Sequence, residues 1–350
     1  MLDQMKLAHS AQAERKYGSS DPKPMPDRPV SVSVTPKLSG PKKQHVVPRF
    51  YLEGFSRDGL LSVYDRQKNE FRIQTPLNTG AITHYYTFTD AEGRRRYDLE
   101  HLMCDYEGKA AQIIRKLSAK ERLTDEERSD MAIFVAIMGF RTPDQIESMK
   151  EANGQMIKRL SQMIFGSDKL AKIAVRQNPK NADLSEAEIE QQAKQLREFV
   201  ERDQFTVETD HQWALGMSMN MFAKVADILV QRDWVVMHRE NEKRSFITSD
   251  APLILTLMQP RPNSFYGVGY ASSDAMIVFP LTQASVLVMH GFDGSFAHGV
   301  MTEANIKDTN RLIAERCQRF VMGRDEKLVR SLVEHVQLDK TSWQPKIRVS

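Results

Sequence analysis

Apolar positions recur along this chain with two different spacings, and the change from one to the other marks out its elements. Leu60-Leu61-Ser62-Val63-Tyr64 and Phe71-Arg72-Ile73-Gln74 alternate around the polar stretch Asp65–Glu70, which predicts a β-hairpin. Thr83-His84-Tyr85-Tyr86-Thr87-Phe88 is a further β-prone run, ending at the turn Thr89-Asp90-Ala91-Glu92-Gly93. From Asp98 the spacing becomes helical, with Leu99, Leu102, Met103, Tyr106, Ala110, Ile113, Ile114 and Leu117 on one stripe that runs to about Lys120. Thr124-Asp125-Glu126-Glu127 is a capping box ahead of an apolar helix that stops near Arg141-Thr142-Pro143. Its uninterrupted run Met131–Phe140 is too short to span a bilayer and reads as a buried core helix. Two helices are expected within residues 144–176, another is capped at Ser185-Glu186-Ala187-Glu188 and runs to about Glu201, and His211–Arg232 continues in helix. Trp213, Met217, Met221, Val225 and Ile228 line one face of that last helix, a pattern of core packing rather than of a cofactor site.

Beyond Asp233 the alternation of strands returns, in Trp234–Met237, Ser245–Thr248, Ala275–Val278 and Ser285–Met289, separated by polar loops rich in Pro and Gly. A helix over Thr302–Arg316, a strand Phe320-Val321-Met322 and a helix over Asp325–Gln337 close the pattern. Strands at both ends with helices between them imply an α+β protein. Its expected architecture is one mixed or antiparallel sheet built from N- and C-terminal strands, with a large helical middle over about residues 98–232. No internal repeat occurs, so residues 44–340 are expected to form a single domain, preceded by an arm at 1–43 and followed by a tail at 341–350.

Composition changes this picture only at the N-terminus. Residues 1–44 contain six of the 15 prolines and eight Lys/Arg against four acids, whereas the remaining residues carry a net charge of −1. The arm therefore reads as disordered and basic, either a solvated tail or a contact for nucleic acid or an anionic surface, while the folded body gives no bulk charge argument for nucleic acid. Cys104 and Cys317 are the only cysteines, too few for a disulfide framework or a zinc site, which fits a reducing cytoplasm. Met1–Lys6 has no apolar core of a secretory signal, and no membrane association is expected.

The densest chemistry lies in Gln44-His45-Val46-Val47-Pro48-Arg49-Phe50-Tyr51-Leu52-Glu53-Gly54-Phe55. Pro48 forces the residues before it to run extended and lets a helical turn begin at Arg49, holding His45 and Arg49 at a strand-to-helix corner suited to an anion. Asp250 ends a β-rich run at Ser249-Asp250-Ala251-Pro252. There it is either a base or metal ligand, or the acceptor of backbone N–H groups in a turn. Arg49 and Arg141 either grip phosphate or carboxylate, or pair with Glu107 or Asp250 in an ionic clasp. His45 is either a packed histidine or a general base. His290 and His298 flank Asp293-Gly294 in an expected hairpin turn and make a weak metal pair, and Arg94-Arg95-Arg96 reads more readily as a solvated basic edge than as a nucleic-acid contact, though it suits either. No HExxH, CxxC, Walker, GxSxG or dinucleotide glycine motif is present.

Six spaced motifs occur in order: His45–Phe55, Glu107-Gly108-Lys109-Ala110-Ala111, Arg141-Thr142-Pro143, the Trp234 strand, Phe246–Pro252 and Phe279-Pro280-Leu281-Thr282. Together they resemble a bacterial family of unknown function whose members begin QHYVPRFYLRNF and later carry ITSDNPV and PLSP. The likeness covers about residues 44–322. Val46 replaces a frequent tyrosine and Ala251 a frequent asparagine, which weakens any polar role directly after Asp250.

Two functions follow as expectations. One is a phosphate-directed hydrolase of nuclease or phosphodiesterase type, in which Glu107 and Asp250 hold Mg²⁺, His45 acts as base, and Arg49, Arg141 and Ser249 bind the anion. Nucleic acid or a nucleotide would be its partner, and a toxin or antiphage-defence role its setting. The other is a non-catalytic binding or interaction module, open to a protein partner or homo-oligomer, in which the same residues form a structural clasp.

Overall fold

The computed structural model describes residues 36–203, 205–259, 267–336 and 338. Most of the expected arm and all of the tail at 341–350 lie outside the described residues. The chain groups into two compact units, one made of Met1–Asp144 with Ser218–Ser350 and the other of Gln145–Met217.

In the first unit, β1 (Lys43–His45) leads through Pro48, at φ −58° and ψ 141°, into the short helix α1 (Arg49–Glu53). This is the strand-to-helix corner that the proline dictates. β2 (Leu61–Asp65) and β3 (Glu70–Gln74) form the expected hairpin, closed by Asn69 at φ 52°, a conformation that asparagine tolerates. The β-prone run at 83–88 is not one strand. β4 (Ala81–Thr83) pairs with β1, His84 turns the chain at φ 53°, and β5 (Phe88–Thr89) pairs with β6 (Arg95–Arg96). A single left-handed residue thus sends two halves of one alternating pattern to different partners.

α2 (Asp98–Ser118) packs on α3 (Asp125–Phe140), burying Leu99, Met103, Ala110, Ile113, Ile114 and Leu117. The capping box is complete: Thr124 Oγ1 accepts from Glu127 N at 3.2 Å, and Glu127 Oε2 accepts from Thr124 N at 2.9 Å. Near the end of α3, Gly139 faces the Leu253 side chain, and a Cβ there would lie 2.5 Å from Leu253 Cδ2, so a larger residue would require that methyl group to turn aside.

The second unit contains most of α4 (Pro143–Phe165), then α5 (Asp168–Gln177) and α6 (Glu186–Glu201), and the start of α7 (His211–Gln231). Its own small core is Ala171, Val175, Ile189 and Ala193, with Phe165, Leu184 and Leu196 packed against them. Along α7 the expected face is displaced. Trp213, Met217 and Met221 are 42%, 39% and 37% exposed, while Ala214, Leu215, Phe222, Val225, Ala226 and Leu229 are buried. The helix is apolar on most of its circumference, so period alone did not distinguish the buried stripe from the one a position away.

The C-terminal part of the first unit holds β7 (Asp233–Arg239), β8 (Thr248–Ser249), β9 (Ile254–Leu257), β10 (Ala275–Thr282), β11 (Ser285–His290), β12 (Phe296–Met301), α8 (Glu303–Glu315), β13 (Phe320–Gly323) and α9 (Glu326–Val336). The protein is α+β, but its strands do not form one sheet. A five-stranded sheet, β12-β7-β11-β10-β9, uses C-terminal strands alone, and a four-stranded sheet, β3-β2-β13-β8, is the one assembled from both ends. Two short pairs, β1-β4 and β5-β6, stand apart. Trp234–Met237, Ile277–Phe279 and Val286–Met289 are all buried, as expected of strands covered on both faces.

Asp293-Gly294 does not close a hairpin, because β11 runs antiparallel along one side of β7 and β12 parallel along the other. The expected strand at 245–248 is reduced to Thr248–Ser249. Before it, the Asn310 side chain takes the place of a ladder partner, accepting from Ile247 N at 3.1 Å and donating to Ser245 O at 2.8 Å. Among the described residues no helix is long and apolar enough to cross a membrane.

Candidate functional site

Arg141 follows the last turn of α3 and is 1% exposed. A buried guanidinium needs acceptors for its donors, and three segments supply its surroundings. Nη1 donates to Glu107 Oε1 at 2.7 Å and Nη2 donates to the His45 carbonyl. The Tyr86 ring lies 5.3 Å from the guanidinium carbon, and the Tyr86 hydroxyl donates to the Arg141 carbonyl at 2.8 Å. Gln44 closes the loop by accepting from Tyr86 N at 2.7 Å. Three of the expected site segments therefore do meet, through His45's backbone rather than its ring, whose Nε2 donates to Leu77 O at 3.1 Å. Arg49 is elsewhere, exposed and paired with Glu53 at 2.8 Å.

Glu100, seven residues before Glu107 on α2, belongs to the same cluster and was not singled out by the sequence. It is 7% exposed and its Oε2 has no hydrogen-bond partner among the described residues, nor has Arg141 Nε. Burial pushes its carboxyl up to about 7, with Arg141 opposing the shift and Glu107 adding to it.

Asp250 sits in a second, separate network. Its Oδ1 accepts from Gln318 N at 3.0 Å and its Oδ2 from Arg319 N at 2.8 Å, so the carboxylate caps the start of β13. Ser249 Oγ accepts from Ala251 N at 3.2 Å, the turn geometry that such a sequence offers. Burial pushes the Asp250 carboxyl up to about 6, against the pull of those backbone donors. The Arg319 side chain meanwhile forks onto Asp65, Nε to Oδ1 at 3.0 Å and Nη2 to Oδ2 at 2.8 Å, and Arg72 reaches the same carboxylate at 2.8 Å. Glu107 and Asp250, the expected Mg²⁺ pair, are thus bound to different partners. No cluster of three or more His, Cys, Asp or Glu able to hold a metal occurs among the described residues.

A third junction joins the opening motif to the Phe279–Thr282 strand end. Tyr51, Leu52 and Phe55 of the opening motif are buried, and Tyr51 packs on Phe279 with ring centroids 5.5 Å apart. Gln283 N donates to Gly54 O at 2.9 Å. Of the two histidines expected as a weak metal pair, His298 bonds instead to His238, Nδ1 to Nε2 at 3.0 Å, while His290 Nδ1 stands 4.0 Å from Asp233.

One cavity among the described residues is lined by none of the residues of these three junctions. This half-open cavity of about 470 Å³ is lined by Phe88, Thr89 and Asp90 of the β5–β6 turn region, Arg96, Asp98, Leu99 and Leu102 leading into α2, and Met219, Asn220, Phe222 and Ala223 of α7. The run Arg94-Arg95-Arg96 is a basic edge, exposed at Arg94 and Arg95, whose charges meet local partners. Arg94 pairs with Asp90 and Glu92, Arg95 lies 3.3 Å from His84 Nε2, and Arg96 forks onto Asp98 at 2.7 and 3.0 Å. No motif announced this cavity. The one available signal was the alternation of acids and arginines between Asp90 and Asp98, directly before the α2 stripe.

The family model described as protein of unknown function (DUF4238) matches residues 43–327, and the chain belongs to that family. No curated protein and no solved structure matches it.

Proposed function

We propose that this chain is a non-catalytic binding module, whose polar motif residues hold the fold together and whose ligand site is the cavity beside β5, β6, α2 and α7. The cavity carries this reading: about 470 Å³ of mainly apolar space is the size and character of a small-molecule site. The fate of the motif residues supports it. A phosphate-directed hydrolase needs a carboxylate and an arginine turned toward substrate. Here Arg141 is directed at Glu107 and a backbone carbonyl, and both oxygens of Asp250 accept backbone N–H groups.

The two readings separate in Asp250→Ala and Arg141→Ala. Arg141→Ala takes one partner out of the Arg141–Glu107 pair, at about 3–5 kcal/mol, and Asp250→Ala leaves the Gln318 and Arg319 N–H groups without their acceptor, at about 1–3 kcal/mol each, so both variants should melt well below the wild type. The wild type should show no cleavage of DNA, RNA or nucleotides with Mg²⁺. Metal-dependent cleavage that vanishes in Asp250→Ala at an unchanged melting temperature would overturn the proposal in favour of the hydrolase.

A further inference from the structure

We infer that the cavity selects an uncharged, largely apolar molecule bearing one hydrogen-bond acceptor, such as an aryl ketone, and discriminates against the corresponding acid. The inference rests on the binding-module reading and goes on to name the chemical class of the ligand.

The walls set the apolar part. Phe88 and Phe222 offer aromatic faces, Met219 a polarisable thioether, and Leu99 and Leu102 branched aliphatic surface, a combination that packs well against a flat ring system. The charges set the rest. Asp90 and Asp98 both line the cavity, and each is already answered, Asp90 by Arg94 and Asp98 by Arg96. A cationic ligand would therefore find no unpaired carboxylate. An anionic one would find the arginines beside it already committed to carboxylates, and would give up its hydration in mainly apolar space without a free counter-charge.

One donor remains for a neutral acceptor. Arg96 spends Nε and Nη2 on Asp98, and its Nη1 has no partner among the described residues. A carbonyl oxygen on the ligand would take that N–H as a charge-assisted hydrogen bond without bringing a charge of its own. Thr89 and Asn220, both exposed, complete a polar mouth over an apolar floor.

Three probes of one shape test this on the full chain by calorimetric titration: naphthalene, 2-acetylnaphthalene and 2-naphthoate. The ketone should bind most tightly, about five-fold or more above naphthalene, the increment of one hydrogen bond, with naphthoate weakest. Leu102→Trp and Met219→Trp each fill the cavity from a different wall. Either variant, shown folded by its circular dichroism, should lose the ketone, whereas Arg96→Lys should keep naphthalene binding and erase the ketone's advantage. Naphthoate as the tightest probe, abolished by the Trp variants, would overturn the ligand class and leave the cavity as the site. Binding of none of the probes, or binding that a folded Trp variant does not reduce, would overturn the site itself.

Discussion

The Tyr51 hydroxyl donates to the Pro280 carbonyl at 2.8 Å, across 229 positions of sequence. The same oxygen lies 3.0 Å from Thr248 Oγ1, so one phenol joins α1 to β10 of the five-stranded sheet and β8 of the four-stranded sheet. Tyr51 is 1% exposed, and no water can replace the hydroxyl once it is gone. Tyr51→Phe keeps the ring against Phe279 but leaves a buried carbonyl and a buried threonine without their partner. The expected loss is about 1–3 kcal/mol in urea denaturation, with an unchanged slope. A change within experimental error would show that the two sheets do not depend on this contact.

β13 fills the gap between β2 and β8, pairing Val321 with Tyr64 and Met322 with Val63. Without the C-terminal segment, β2 loses this ladder partner and the contacts of α9, while Leu61, Val63 and Tyr64 are buried in the whole protein. A fragment of residues 44–232 should therefore give aggregate or a state without a cooperative transition. A soluble fragment with a sharp thermal transition would show that the N-terminal hairpin is stable without the C-terminal strands.

The helices and the hairpin were legible in the sequence because each rests on local chemistry: the Thr124 and Ser185 capping boxes, the α2 stripe, the polar turn before Phe71. What the sequence hid are choices among long-range partners. Nothing local tells β12 to run parallel beside β7 rather than fold back on β11, or Asn310 to replace a strand beside Ile247. The site was hidden for a related reason. Ionisable residues in Pro-flanked corners attract notice, yet the protein itself engages them, Arg141 through Nη1 and Nη2 and Asp250 through both carboxylate oxygens. The cavity is made of ordinary Phe, Leu and Met side chains that only the fold brings together. Gln44, Tyr86 and Glu100 complete the Arg141 cluster without any spacing that marks them.

The His238–His298 pair gives the fold an acid limit. His298 Nε2 donates to Glu121 O at 3.2 Å, which leaves its Nδ1 to accept from His238 Nε2, an arrangement of two neutral rings. Burial, then the neighbouring His298 and Lys120, hold His238 down at about 4, and burial likewise lowers His298. Between pH 6.5 and about 4 the unfolded chain takes up protons that the folded chain refuses, so the stability from this pair is complete above 6.5 and falls as pH drops. The full effect of His238 is about 3 kcal/mol. His238→Gln should flatten that part of the profile between urea transitions at pH 7.5 and 4.5. An unchanged pH slope in the variant would assign the acid limit to other groups.

Glu100 acts with the opposite sign in an overlapping window. Its carboxyl, pushed by burial from its ordinary value to about 7, keeps a proton in the folded chain that the unfolded chain releases above pH 4.5. The folded state therefore binds more protons across that range, and stability falls as pH rises from about 4.5 to 7. Asp250, raised to about 6, adds to the same trend. Against the histidine pair these terms cancel in part, so the wild-type profile alone assigns nothing and the variants must separate them. Glu100→Gln removes the titration while keeping the shape of the side chain. It should match the wild type near pH 4.5 and exceed it at pH 8 by up to about 3 kcal/mol. Arg141 makes the opposite result informative. If the ionised Glu100 carboxylate served as a second anion for the buried guanidinium, Glu100→Gln would be the less stable protein at pH 8, and the cluster would hold its charge as a triad rather than as the Arg141–Glu107 pair.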